Sequence, residues 1–232
     1  MRQMNYRKDH IPKSTACNRR PGYAMNASTI TIHNTGNPKS SAAGERAWLT
    51  NPTNTRQASF HIGVDEREAV ECIPLNENAW HAGDGSGSTS GNRTSIGVEI
   101  CESGNYAKTL DNAVELVAQM LKERGWGVDR LRRHYDWSGK ICPRLMYDGG
   151  AWTGWFAFKA RVAAKLNEGK ADEPEMKHEK AAVKVDGKPA KDGVIIDGSV
   201  YVPLRDISER IGASITWDNK AKLATITTKE AK

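Results

Sequence analysis

Residues 132–143 constrain the fold more than any other stretch, because they carry an imidazole and a thiol eight positions apart, at His134 and Cys142. That spacing is too long for one helical turn and too short for two separate elements. A strand that ends near His134, a short turn through Ser138 and Gly139, and a return at Cys142 would bring both side chains to one point. A thiolate and an imidazole that converge in this way are ligands that suit zinc.

A third ligand is expected at His33. Residues 28–32 alternate and are rich in β-branched side chains, which predicts a buried strand. Residues 34–38 favour a turn, so His33 stands where the strand ends, the usual place for chemistry in an α/β sheet. Three protein ligands leave the fourth position of zinc for water, which is the catalytic pattern and not the closed structural one.

Four segments, in the order TIHNT, AWHAG, SIGVEI and HYDWSGKICP, resemble the zinc-dependent N-acetylmuramoyl-L-alanine amidases of the type 2 class. The likeness is greatest to the branch of phage endolysins and Bacillus autolysins, and it covers about residues 20–166. It implies an α/β fold with a central mixed β-sheet flanked by helices, and it makes His33, His134 and Cys142 the zinc ligands. The implied substrate is the peptidoglycan of a Gram-positive wall, cut between N-acetylmuramic acid and L-alanine of the stem peptide.

Glu99 is the candidate general base. Residues 94–101 form a predicted strand in which Ile96, Val98 and Ile100 share one face and Glu99 points the other way. A carboxylate on a central strand is costly to bury without a partner, so Glu99 belongs either to an ion pair or to a catalytic site. The resembling family carries a glutamate in the same strand, and this favours the role of general base.

Three further residues of the segment 132–143 have expected roles. Lys140 stands two positions before Cys142 and can point to the same side of the chain. Its charge would stabilise the oxyanion of the reaction, a role that the family's frequent lysine at this place supports, although a solvated surface lysine is the alternative. Arg133 and Asp136 are expected to orient the ligands through hydrogen bonds without binding the metal.

Substrate contacts are expected from Trp80, His81 and His61. Trp80 suits stacking on a sugar or peptide, and His81 can either donate a hydrogen bond to substrate or be a satisfied structural histidine. Residues 84–92, rich in glycine, predict a mobile rim beside them. His61 is weighed as a ligand as well, but a fourth protein ligand would close the site, and in the family the equivalent histidine lies beside the cleft.

The chain is expected to contain two domains and a linker. Residues 1–167 form the catalytic domain, whose first 27 residues are predicted to be irregular, and residues 168–182 form a charged linker. Residues 183–232 predict a small α+β domain with Asp-Gly turns, similar to the copper-amine-oxidase N-terminal-like domain. No histidine follows His178, so no copper ligands are expected there. Its role is either to bind a secondary wall polymer or to stabilise or dimerise the chain.

Composition limits which partners the protein can bind and how it can reach the cell wall. The net charge of +6 lies mostly before residue 168. It indicates either polyanionic partners such as wall teichoic acids or nucleic acid, or only ordinary surface variation, and no nucleic-acid motif is present. No apolar run reaches the length of about 20 residues that a membrane span needs, and residues 1–8 do not resemble a signal peptide. We therefore expect a protein that stays cytoplasmic, with its four cysteines reduced, until a holin releases it to the wall as a phage or prophage endolysin.

Three alternatives stay open. A host autolysin would have the same chemistry and a different route of export. A non-catalytic peptidoglycan-recognition module has the same fold by resemblance but commonly lacks the zinc thiolate, which this chain has at Cys142. A structural zinc domain that binds nucleic acid would need a fourth protein ligand and salt-sensitive binding.

Overall fold

The structure, a computed structural model, describes residues 5–168, 179–218 and 221–228. The chain divides into two units, Met1–Glu168 and Gly169–Lys232. Most of the predicted linker, residues 169–178 with His178, lies outside the described residues. The end of that predicted linker is a strand of the second unit, because Lys180–Ala181 pairs with residues 193 and 194.

The first unit is built on one six-stranded sheet with the order β1-β4-β3-β5-β2-β6. Its strands are β1 Asn5–Lys8, β2 Thr29–Asn34, β3 Ile62–Val64, β4 Glu68–Glu71, β5 Ser95–Ile100 and β6 Leu131–Arg133. All neighbouring pairs are parallel except β3 with β4, which form an antiparallel hairpin. The helices are α1 Ala42–Thr50, α2 Gly91–Thr94, α3 Tyr106–Glu123, α4 Tyr135–Ser138 and α5 Thr153–Asn167. The predicted α/β class with a mixed sheet is confirmed.

The two faces of the sheet carry different kinds of residue. Since side chains alternate along a strand, Ile30 and Ile32 of β2 fall on one face together with the three apolar residues of β5. These side chains pack in one buried cluster with residues of α3 and α5. The alternate positions of the same two strands, which include His33 and Glu99, fall on the opposite face. Alternation therefore separates the main core from the polar site.

Helix α3 contributes more buried apolar residues to the main core than α5 does. Its buried stripe includes Val114, Val117 and Leu121 at helical spacing. The side chain of Asn105 caps the helix by accepting a hydrogen bond from the backbone N–H of Lys108.

Strand β1 was not predicted. Residues 5–8 are polar and mostly exposed, and they have no alternation that would indicate a buried strand. Their partner is β4, which they join in parallel at the edge of the sheet. A side-chain contact of 2.8 Å between Nε of Arg7 and Glu68 reinforces the pairing. An edge strand of this kind is defined by its distant partner and not by its own sequence.

The second unit contains strands and one short helix, as an α+β domain should. These are β7 Lys180–Ala181, β8 Lys184–Val185, β9 Lys188–Pro189, β10 Gly193–Ile196, β11 Ser199–Tyr201, α6 Leu204–Arg210, β12 Ser214–Asp218 and β13 Leu223–Thr227. Among its described residues the large side chains Tyr201 and Trp217 are each 56% exposed. Within the part of the chain that the structure describes, no helix has both the length and the apolar character needed to cross a membrane.

Candidate metal centre and active site

Three side chains meet on the polar face of the sheet, at the ends of its central strands. The ligand atoms of His33, His134 and Cys142 all lie within 4.8 Å of one another, and all three residues are buried. His33 is near the end of β2, and His134 directly follows β6, which pairs in parallel with β2. Parallel pairing places these two strand ends side by side, so the histidines meet although they are far apart in the sequence.

The chain between His134 and Cys142 returns through a tight turn. One turn of helix, α4, follows His134, and Gly139 takes a left-handed conformation with φ +75° that ends it. The backbone N–H of Tyr135 donates to the carbonyl of Cys142 at 3.1 Å, which closes the loop. The Sγ atom of Cys142 then lies 3.7 Å from Nδ1 of His33. The predicted convergence is present, made by a helical turn.

The two histidines present their lone pairs to the same volume. Their Nδ1 atoms lie 3.1 Å apart. Nε2 of His33 is 3.1 Å from Nδ1 of His81, and the ring of His134 also hydrogen-bonds to the backbone of Ala82. With the ring protons held by these outer partners, both Nδ1 atoms are free to accept a cation.

The ionisation of the cluster also suits a metal. Burial lowers the pKa of His33 well below its ordinary value and that of His134 to about 4, so both rings are neutral, as ligation requires. Burial and the nearby Glu99 carboxylate raise the pKa of the Cys142 thiol to about 12. A bound cation would displace that proton, because a coordinated thiol is deprotonated.

Glu99 lies beside the cluster, and one of its oxygens has no hydrogen-bond partner within the described part of the chain. It is the register partner of His33 across β2 and β5, and its Oε1 atom is 3.9 Å from Nδ1 of His33. Its Oε2 atom is buried and unpaired. Burial and the neighbouring carboxylate of Glu45 raise the pKa of Glu99 to about 8. The Glu99 side chain thus lies on a central strand beside the cluster, and among the described residues no arginine or lysine forms a salt bridge with it.

Lys140 is exposed at the edge of the same site. Burial lowers the pKa of His134, and the positive charge of Lys140 adds to that effect. The same charge opposes the rise at Glu99 that burial and Glu45 cause. The ammonium group of Lys140 therefore acts electrostatically on both the histidine and the carboxylate.

Arg133 and Asp136 brace the chain on either side of His134. Asp136 accepts hydrogen bonds from the backbone N–H of Arg133 at 2.7 Å and from its Nε at 3.0 Å. The guanidinium group of Arg133 also lies 4.4 Å from the ring centroid of Trp152. These contacts connect the residues on the two sides of His134.

The three residues expected to contact substrate occupy different environments. His61 has no exposed surface, its Nε2 contacts the carbonyl of Glu77 at 2.9 Å, and its Nδ1 accepts from the backbone N–H of Gly97 at 2.9 Å. This geometry does not support contact between His61 and substrate; its ring joins β5 to the backbone of Glu77. His81 is also buried and contacts His33, which favours the structural alternative for this histidine.

Trp80 lines an open groove next to the cluster. It is half-buried, and its indole N–H donates to the carbonyl of Asn18 at 2.8 Å. The groove has a volume of about 480 Å³, and Gly83 and Gly85 line it together with Trp80. A Cβ atom on Gly83 would stand 3.3 Å from Nε2 of His134. The groove therefore borders the ring of His134 through Gly83, with Trp80 on its wall.

Sequence reasoning missed Glu102, which fixes two loops around Cys142. Glu102 is 8% exposed. Its carboxylate accepts a hydrogen bond from the backbone N–H of Gly36 at 2.9 Å and pairs with the Nε of Arg144 at 2.8 Å. Gly36 follows the strand of His33, and Arg144 follows Cys142 by two positions. In the sequence, Glu102 is an acidic residue two positions after β5, and this alone indicates nothing about its partners.

Fold and site together define a class: an α/β protein with a buried His-His-Cys cluster and an unpaired carboxylate at the ends of its central strands. Residues 23–145 match the family model described as N-acetylmuramoyl-L-alanine amidase. The chain belongs to this amidase family. Residues 178–232 match a second model, described as copper amine oxidase N-terminal domain, so the predicted resemblance of the second unit is also present.

Individual relatives agree with the family match. The N-acetylmuramoyl-L-alanine amidase XlyB of Bacillus subtilis is 49% identical over 150 residues, which cover 63% of this chain and 45% of that protein. The structure of the catalytic domain of XlyA, also from Bacillus subtilis, is 44% identical with a TM-score of 0.61, covering 68% of this chain and 99% of that one.

A mutant endolysin from Bacillus subtilis is 43% identical with a TM-score of 0.61, covering 69% of this chain and 99% of that one. The chain spans about half the length of the curated relatives it matches. The first unit is thus similar to complete catalytic domains, and the remainder of the longer relatives has no counterpart in these matches.

Proposed function

We propose that this protein is a zinc-dependent N-acetylmuramoyl-L-alanine amidase that hydrolyses the amide bond between N-acetylmuramic acid and L-alanine in peptidoglycan. The observation that carries the proposal is the convergence of His33, His134 and Cys142 beside the unpaired carboxylate of Glu99. The family match and the likeness to XlyA and XlyB support the choice of bond.

Zinc fits this set of donors better than a harder cation. Two imidazole nitrogens and one thiolate are ligands typical of zinc, whereas magnesium and calcium prefer oxygen. Among the described residues the cluster contains three ligands, which leaves one position open and argues against a closed structural site. When bound, zinc would polarise the substrate carbonyl and make water more acidic.

Glu99 is the group that moves the proton in this proposal. A carboxylate Oε of Glu99 takes a proton from the attacking water as the C–O bond forms, and returns it to the alanine nitrogen as the C–N bond breaks. The products are a free carboxyl on the lactyl group and a new N-terminal alanine. A cation at the cluster would lower the pKa of Glu99 from the value of about 8 that burial and Glu45 impose, and so leave it ionised for this work.

Lys140 would stabilise the charge that develops on the carbonyl oxygen. Lys140 is solvent-exposed, and its charge acts electrostatically on both Glu99 and His134. A fixed positive charge near a developing oxyanion lowers the barrier without any rearrangement during the reaction. Trp80, on the wall of the adjoining groove, would stack on a sugar or peptide of the wall.

Product analysis tests the reaction directly. Purified Gram-positive walls are incubated with the wild type and with Glu99→Gln, and new N-terminal alanine and new reducing sugar ends are measured separately. We expect N-terminal alanine alone from the wild type, and a rate lower by about 10²–10⁴-fold from the variant. Reducing ends without alanine would contradict the proposal, and binding of walls without any product would indicate a recognition module.

The biological setting and the second unit are part of the proposal. Likeness to a Bacillus subtilis endolysin supports a role in phage lysis, in which a holin opens the membrane for the enzyme; the alternative is a host autolysin. For residues 183–232 we propose binding of a wall polymer, supported by the exposed rings of Tyr201 and Trp217. Trp217→Ala should reduce co-sedimentation of the full chain with walls, and unchanged co-sedimentation would argue for a stabilising or dimerising role.

A further inference from the structure

His81 stands behind the metal cluster and contacts one of its ligands. Its Nδ1 atom is 3.1 Å from Nε2 of His33, and its Nε2 atom is 3.0 Å from the backbone carbonyl of Ser95. The ring is 7% exposed, and it crosses the ring of His33 at an interplanar angle of 87°. The three groups form one chain of hydrogen bonds that starts at the sheet and ends at the cluster.

The direction of the protons along this chain is fixed by its first member. A carbonyl oxygen only accepts, so Nε2 of His81 carries the proton that it donates to Ser95. In a neutral imidazole the other nitrogen then has the lone pair, so Nδ1 of His81 accepts from Nε2–H of His33. This places the proton of His33 on Nε2 and leaves its Nδ1 lone pair directed at the cluster.

The fold makes room for this ring at a specific place. Gly97 lies in the middle of β5, and a Cβ atom there would stand 2.7 Å from Cγ of His81 and 2.9 Å from its Cδ2. No real Cβ contact is that short. The absence of a side chain at Gly97 is therefore what allows the ring to pack against the strand and reach His33.

Asn92 holds the backbone of the same segment. Its Oδ1 atom accepts from the N–H groups of His81 and Ala82, at 2.6 and 2.8 Å, and its Nδ2 donates to the carbonyl of Gly85 at 2.8 Å. Asn92 is 4% exposed. Ala82 is also the residue whose backbone hydrogen-bonds to His134. One short segment thus contacts both histidines of the cluster.

We propose that His81 is a positioning residue, which fixes the tautomer and the ring orientation of His33 so that Nδ1 meets the metal. The inference rests on the zinc site of the proposed function, and it adds a residue that neither binds the metal nor contacts substrate. Partners of this kind strengthen metal binding by about 10–100-fold. The predicted loss on removing the acceptor is of that size.

Two substitutions distinguish the hydrogen-bond acceptor at Nδ1 of His81 from the volume that its ring fills. His81→Leu keeps the volume and removes the acceptor, whereas His81→Asn retains an oxygen near the place of Nδ1. His10→Gln is the control, since His10 lies next to the opposite edge of the sheet and contacts Glu71. Zinc affinity of each full-length protein is measured by competition with a chromophoric chelator. The tautomer of His33 is read in the zinc-free proteins from long-range ¹H–¹⁵N NMR correlations.

We expect zinc binding about 10–100-fold weaker in His81→Leu, with the Nε2–H tautomer of His33 no longer dominant. His81→Asn should recover most of the affinity and the tautomer, and His10→Gln should match the wild type. Equal affinity and an unchanged tautomer in His81→Leu would overturn the proposal and leave the zinc site standing. A wild type that binds no zinc would overturn the proposed function instead, and the tautomer measurement would still decide the role of His81.

Discussion

Replacing Gly97 with alanine tests whether the ring of His81 fills the space over β5. On an ordinary strand, alanine in place of glycine stabilises by roughly 0.5–1 kcal/mol, because glycine loses more backbone freedom on folding. At Gly97 the new Cβ would instead meet three atoms of the imidazole at 2.7–3.0 Å. The ring cannot withdraw easily, since both of its nitrogens are hydrogen-bonded.

We therefore expect Gly97→Ala to lower the free energy of unfolding by about 1–3 kcal/mol, the usual penalty for overpacking. Gly63→Ala is the matched control, on the neighbouring strand β3. A Cβ there would be 3.6 Å from the nearest atom, the Cα of Ala42, which is an ordinary contact. This variant should be as stable as the wild type or more so, by up to about 1 kcal/mol.

The assay is urea unfolding of the zinc-free protein, followed by tryptophan fluorescence. Six of the seven tryptophans precede residue 168, so the signal reports mainly on the first unit. Gly97→Ala should cost much less unfolding free energy in the His81→Ala background than in the wild type, because the ring that the new Cβ would meet is gone. The reasoning is refuted if Gly97→Ala is as stable as Gly63→Ala, or if removing the ring of His81 leaves the penalty unchanged.

Two further predictions concern charge. Lys140→Met should lower the rate of alanine release by about 10²–10³-fold while zinc content stays the same, and an unchanged rate would remove Lys140 from the mechanism. His61→Gln should make the free energy of unfolding less sensitive to acid. Burial lowers the pKa of His61 to about 4 in the folded protein, whereas in the unfolded chain its pKa is near the ordinary value of about 6.5. As pH falls from about 6.5 to about 4, the wild type should lose up to about 3 kcal/mol more unfolding free energy than His61→Gln, measured by urea unfolding without zinc; parallel pH curves would contradict this.

The parts of the site that the sequence could predict are those set by local pattern. Alternation in residues 28–32 placed His33 at a strand end, and alternation in residues 94–101 placed Glu99 opposite three apolar side chains. The two strands then pair in parallel with His33 and Glu99 in register. Period two and the position of turns were sufficient to infer which residues face the same way.

The parts that sequence could not give depend on contacts between distant segments. His61 and His81 look alike in the sequence, yet His61 contacts the backbone of Glu77 and Gly97, and His81 contacts His33, which is 48 positions away. The edge strand β1 is defined by its pairing with β4. Glycine at position 97 is explained only by the ring that lies over it. In each case the deciding partner is remote in sequence and close in space.

The central claim is that His33, His134 and Cys142 hold one zinc ion on which cleavage depends. The most direct measurement is zinc per chain together with the release of N-terminal alanine, for the wild type, Cys142→Ala and Cys72→Ala. Cys72 is a buried thiol outside the cluster, so Cys72→Ala controls for the loss of a buried sulfur. We predict about one zinc and full activity in the wild type and Cys72→Ala, and neither in Cys142→Ala. Full zinc content and activity in Cys142→Ala would contradict the account.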